Sequence, residues 1–70
     1  NDLDAVRQLI LMDMAFNMGV PRLCKFKRMW AAIHEGKFAI ASIEMLDSRW
    51  AAQVGKRATK LSDAMKTGEF

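Results

Sequence analysis

Apolar residues recur along this chain at spacings of three and four, with little two-residue alternation and no Tyr. That periodicity predicts helices nearly throughout and argues against strands. The first helix is expected over about residues 4–18, with Leu3, Val6, Leu9, Ile10, Met14 and Phe16 as its apolar positions. Asp2 or Asp4 can cap its start and favour the positive end of its dipole. Gly19 is read as a left-handed ending, and Pro21 prevents continuation. Residues 9–12 and 14–16 make this helix apolar around much of its circumference. A helix of that kind belongs at the centre of a structure. A chain this short cannot cover it completely, so a missing partner is expected.

A second helix is predicted over about 22–35. Leu23, Phe26, Met29, Trp30 and Ile33 form one stripe on it, and Gly36 ends it. A third covers about 38–46, with Ile40, Ala41, Ile43 and Met45 as candidates for burial. Asp47 or Ser48 can cap a short fourth helix running through 50–53, and Gly55 breaks the chain. The last helix spans about 56–66, buries Ala58, Leu61 and Met65, and stops at Thr67-Gly68. The fold class is therefore all-α. One compact domain, residues 1–70, is expected to hold about five short helices around a central apolar helix, with Trp30 and Trp50 in the core.

Composition adds limits. Seventy residues make one domain at most, with a thin stability margin. With 51% apolar and 27% charged residues, the chain is globular and not disordered. Six Met suit a core with irregular gaps to fill. The net charge is +3, with basic clusters at Arg22, Lys25, Lys27 and Arg28 and at Lys56, Arg57 and Lys60. Such clusters are either solvated helix faces or a surface for a polyanion. Cys24 is single, which forbids an internal disulfide, and it reads as a small core residue. His34, the one His, lies ten residues from it and is expected to be exposed near a helix end. No metal-ligand spacing, Gly-rich phosphate loop, signal-peptide pattern or bilayer-spanning apolar run is present, so neither metal nor cofactor is expected.

Several short pieces narrow the reading. Leu3-Asp4-Ala5-Val6-Arg7, Phe16-Asn17-Met18-Gly19, Ser48-Arg49-Trp50, Arg57-Ala58 and Thr67-Gly68 stand in a fixed order. Together they resemble the carboxyl-terminal lobe of the phage-type lysozymes, the endolysins of T-even bacteriophages and their relatives, from Leu3 to Phe70. The resemblance implies a two-lobed muramidase that hydrolyses the β-1,4 bond between N-acetylmuramic acid and N-acetylglucosamine. In that family the general acid is a Glu near the amino terminus, followed by an Asp or Cys and a Thr on the small lobe. None of these positions exists here. Hydrolysis of a glycosidic bond needs two placed groups, usually carboxyls, and Asp13, Glu35, Glu44, Asp47 and Asp63 match no catalytic motif. No catalytic residue is therefore assigned, and the segment is expected to be inactive alone.

What the resemblance implies for this segment is one wall of a substrate cleft. Phe16 and Asn17 match positions that line the sugar site, suited to the apolar face of a sugar and to its N-acetyl group. Arg57 matches a basic residue that faces the catalytic Glu from this lobe, and a cation at a helix start opposes the dipole, which favours a functional reason for it. Arg49 is a candidate to reach across the cleft. Two further contact positions of the family, a Ser and an Asn, are Met29 and Glu44 here. Glu44 is kept as a substrate-side candidate, though it would repel an anionic ligand. Asp13 holds a cleft-side position that is usually an amide. Trp30 replaces a smaller apolar residue, so the core must repack around it.

The expected partners are bacterial peptidoglycan and the missing amino-terminal catalytic lobe, with self-association through the exposed apolar face of the first helix, and neither nucleic acid nor membrane. A phage-encoded enzyme would act from the host cytoplasm onto the periplasm and wall. The alternative is a non-catalytic basic helical module that binds nucleic acid or an anionic wall polymer.

Overall fold

A computed structural model of the chain describes residues 3–70. The described residues form six helices and no strand: α1 (Ala5–Met18), α2 (Val20–Leu23), α3 (Lys27–His34), α4 (Phe38–Leu46), α5 (Arg49–Val54) and α6 (Lys56–Thr67). The all-α class follows from the apolar spacing, as expected.

Local chemistry sets the ends of α1. Asp4 has extended backbone and its carboxylate accepts the Arg7 backbone N–H at 3.1 Å, an N-cap. The other candidate cap, Asp2, lies outside the described residues. Gly19 ends α1 at φ 86°, ψ 150°. This is not the left-handed helical ending that was expected. It is an extended backbone with positive φ, open in practice to glycine alone. It re-aims the chain so that Pro21 can sit in the first turn of α2.

The single helix expected over 22–35 is two helices. An inverse γ-turn separates them: Phe26 has φ −75°, ψ 59°, and the Lys27 N–H donates to the Lys25 carbonyl at 2.8 Å. The break leaves the last carbonyl of α2 in need of donors. The Trp30 indole Nε1–H supplies one to the Leu23 oxygen at 2.9 Å, and the Phe26 N–H another at 3.1 Å. The turn keeps the apolar stripe directed inward. Leu23, Met29 and Ile33 are buried, and Phe26 and Trp30 pack against them. Cys24 lies in the turn and is exposed, so it is not the core residue expected; Leu23 takes the inward position. At the far end of α3, the Gly36 N–H donates to Ile33 and the Lys37 N–H to Ala32, with Gly36 at φ 76°. This is a Schellman ending, which needs a residue without a Cβ penalty at positive φ.

α4 packs chiefly on α6 and α3, while α1 and α5 also rest on α6. Ile10, Met14, Met29, Met45 and Met65 are fully enclosed, so four of the six Met fill the centre. α4 buries Ala41, Ser42 and Met45. The expected burial of Ile40 and Ile43 does not occur. They lie with Leu46 on the side away from the partners of α4 and are exposed. Trp50 is buried, whereas Trp30 is half-buried. On α1 only Ile10 and Met14 are buried. Leu9 and Phe16, predicted as part of the apolar set, are exposed along with Met12.

Arg7 ties the ends of three helices together. Its Nε donates to the Met65 carbonyl at 2.7 Å and its Nη2 to that of Lys66 at 3.1 Å, satisfying the end of α6. Its Nη1 pairs with Asp4 at 2.8 Å, and its guanidinium lies 3.5 Å from the centroid of the Phe38 ring at the start of α4. The hydrogen bond from Arg7 holds the Asp4 carboxyl below its ordinary range, with a smaller opposing effect from burial.

Candidate functional site

The carboxyl-terminal half of α1 and the first turn of α6 meet at an ion-paired cluster. Arg57 reaches back along the chain to Asp13, with Nη2 at 2.6 Å and 2.7 Å from the two carboxylate oxygens and Nε at 3.3 Å. Asn17, one turn beyond Asp13 on α1, donates its side-chain amide to the Asp13 carboxylate at 2.9 Å and to the Asp13 carbonyl at 2.8 Å. The Asn17 amide oxygen takes no hydrogen bond among the described residues and remains free to accept one. Asp13 is mostly covered and Arg57 mostly open, so the cation's outer face is available to a second anion. Beside them Phe16 is 97% exposed. An apolar ring this open, next to a free amide acceptor and a fixed cation, suits an amphipathic, hydrogen-bonding ligand such as a sugar.

The cluster contains Asn17 and Arg57, with Phe16 adjacent in sequence on α1; Arg49 and Glu44 lie elsewhere. Arg49 begins α5, behind the Ser48 cap, and lines a cavity of about 210 Å³ with Trp50, Arg22 and Lys25. Glu44, near the end of α4, lines a neighbouring cavity of about 400 Å³ together with Met29, Lys27 and Arg28. The two cavities share Lys25, Phe26 and Ser48. Met29 is fully buried, so the position where the family has a hydroxyl serves the core here. His34 is exposed at the last residue of α3, as expected.

The sequence gives Asp13 only a cleft-side position, yet it is the hub of the cluster. The four-residue step from Asp13 to Asn17 was a legible sign. The link to Arg57, 44 residues away, was not. Arg7 carried a similar sign in its three-residue step from Asp4.

Among the described carboxylates, Asp4 is held below its usual range by Arg7. A general acid in glycoside hydrolysis needs the opposite environment, one that keeps the proton on near neutral pH. No group of three or more His, Cys, Asp or Glu is placed to hold a metal ion, and no helix is long and apolar enough to cross a membrane, among the described residues.

The chain is 38% identical over 68 residues, 97% of its length, to a probable T4-type lysozyme 2 of Dictyostelium discoideum. It is 34% identical over 67 residues to a probable T4-type lysozyme 1 of the same organism. It spans 40% and 39% of the length of these relatives. No family model matches the chain, and no solved structure matches it significantly. The two relatives bear out the resemblance to phage-type lysozymes over nearly the whole chain.

Proposed function

We propose that this chain is the carboxyl-terminal, non-catalytic lobe of a phage-type lysozyme that hydrolyses the β-1,4 bond between N-acetylmuramic acid and N-acetylglucosamine in bacterial peptidoglycan. The Arg57–Asp13–Asn17 cluster beside the open Phe16 ring carries the reading, because it joins the residues the resemblance assigns to the cleft wall. Phe16 packs on the apolar face of a sugar ring. Asn17 accepts the N–H of an N-acetyl group. Arg57, oriented by Asp13, offers its free edge to the negative groups of the cleft and helps hold the two lobes together. The bound wall polymer would lie between the lobes, and the bacterial wall is the place of action.

The lobe alone holds no pair of carboxyls suited to the reaction, and this is the physical ground for expecting it to be inactive without its companion. The relatives' extra length leaves room for such a companion. The test is a chimera in which this chain replaces the matched segment of the Dictyostelium lysozyme 2. A folded chimera should clear a peptidoglycan suspension, and Arg57→Gln should slow it by an order of magnitude or so, the effect of one charged contact of about 1.4 kcal/mol. A folded chimera that leaves the suspension turbid counts against the proposal.

A further inference from the structure

The outer face of α4 serves no packing within the chain. Ala41, Ser42 and Met45 turn toward the neighbouring helices, and the opposite side carries Ala39, Ile40, Ile43 and Leu46, all exposed. Ile43 stands at the centre of this side and is 63% exposed. Single exposed apolar residues are ordinary, but three large aliphatic side chains side by side on one helix are not. Ala39, Ile43 and Leu46 follow at steps of four and three, the spacing with which one helix seats along another. The small Ala39 lets a second backbone come close.

The charges around this face have a direction. Lys37 caps the start of α4, Glu44 lies two turns on along the same edge, and Asp47 ends the helix. Lys37 pairs with Glu35 at 3.1 Å, but both side chains are more than half exposed, so the pair is weak and open to exchange. Glu44 and Asp47 are in no ion pair among the described residues, although Lys27 and Arg28 border the same cavity. The face is therefore positive at one end, negative at the other and apolar between. A surface of one sign meets repulsion at one end of it. The same face turned end for end meets none.

We propose that α4 is a dimerisation helix, and that its occupant is α4 of a second copy of this chain, antiparallel across a two-fold axis. End-for-end reversal sets Lys37 of each copy against Glu44 of the other. Two equal ion pairs then flank an apolar seam made by Ile40, Ile43 and Leu46 of both copies. Parallel pairing would instead set Lys37 beside Lys37 and Glu44 beside Glu44, and like charge disfavours it. A contact of this isologous kind closes at two copies. One helix of nine residues makes a small interface, so the dimer is weak and exchanges with monomer. It uses a different surface from the apolar face of α1, which packs on α2 and α6.

Sedimentation equilibrium on the chain carrying Met12→Ser and Phe16→Ser, whose α1 face is made polar, isolates this contact. The proposal expects a monomer–dimer equilibrium that stops at two copies. Ile43→Ser, at an exposed position and harmless to packing, should raise the dissociation constant about a hundredfold, since each copy loses an aliphatic group from the seam. Lys37→Glu should raise it about tenfold through the loss of two exposed ion pairs. Adding Glu44→Lys to that variant should restore the dimer, because exchanging both charges recreates both pairs. A monomer at every concentration, growth beyond two copies, a dimer indifferent to Ile43→Ser, or no recovery on charge exchange overturns the proposal. The lysozyme reading is tested separately, by the chimera, and stands or falls without this result.

Discussion

At the scale of single residues, the cluster on α1 and α6 works through charge at a partly open surface. Asp13→Asn removes the counterion of Arg57 while keeping the shape. Because Arg57 is well exposed, the expected loss of folding stability is small, about 0.5–1 kcal/mol in a thermal or denaturant melt. A loss several times larger would mean that the pair holds the fold together. Asp4 gives a pH prediction. Its folded-state carboxyl lies below its unfolded value, so its contribution is fully present above the ordinary carboxylate range and is lost as pH falls through the folded value. Stability should therefore drop on acidification below about pH 4, and Asp4→Asn should flatten that part of the curve. The residues that could be read from sequence were those with local partners, such as the Asp4 and Ser48 caps. The Arg7 and Arg57 contacts join segments 58 and 44 residues apart, and no local pattern announces them.

At the scale of elements, the fold depends on how short helices are stopped and restarted. Ser48 accepts the Ala51 N–H at the start of α5 and donates to the end of α4, so one hydroxyl serves both sides of the junction. Ser48→Ala should cost about 1–2 kcal/mol, read as a lowered melting midpoint. Trp30→Phe keeps a ring and removes the donor to the Leu23 carbonyl. Since Phe26 still satisfies that oxygen, the expected loss is about 1 kcal/mol. Met45→Ala, at a fully buried site between α4 and its neighbours, should cost about 2–5 kcal/mol, a scale itself established on a phage lysozyme. α1, α4 and the end of α6 could be read from period and glycine punctuation. The break at Phe26 was hidden because a γ-turn preserves the three- and four-residue spacing of the stripe across it. The exposure of Ile40 and Ile43 was hidden because α4 is apolar almost all round, so its pattern does not say which side its neighbours occupy.

At the scale of the whole molecule, the exposed apolar residues on α1, Leu9, Met12 and Phe16, mark a face that a folded monomer of this size would not ordinarily leave open. In isolation the chain should self-associate as concentration rises in sedimentation, and Met12→Ser with Phe16→Ser should return it toward monomer. On the proposed reading a companion lobe would cover Leu9 and Met12, while Phe16 would line the cleft between the lobes. The central claim is that this chain completes a peptidoglycan hydrolase without supplying its catalytic acid. The most direct measurement is the release of reducing sugar ends from purified peptidoglycan by the chain alone and by the chimera with the Dictyostelium lysozyme. The account predicts no release from the chain at any concentration and steady release from the chimera. Release by the purified 70-residue chain on its own would contradict it.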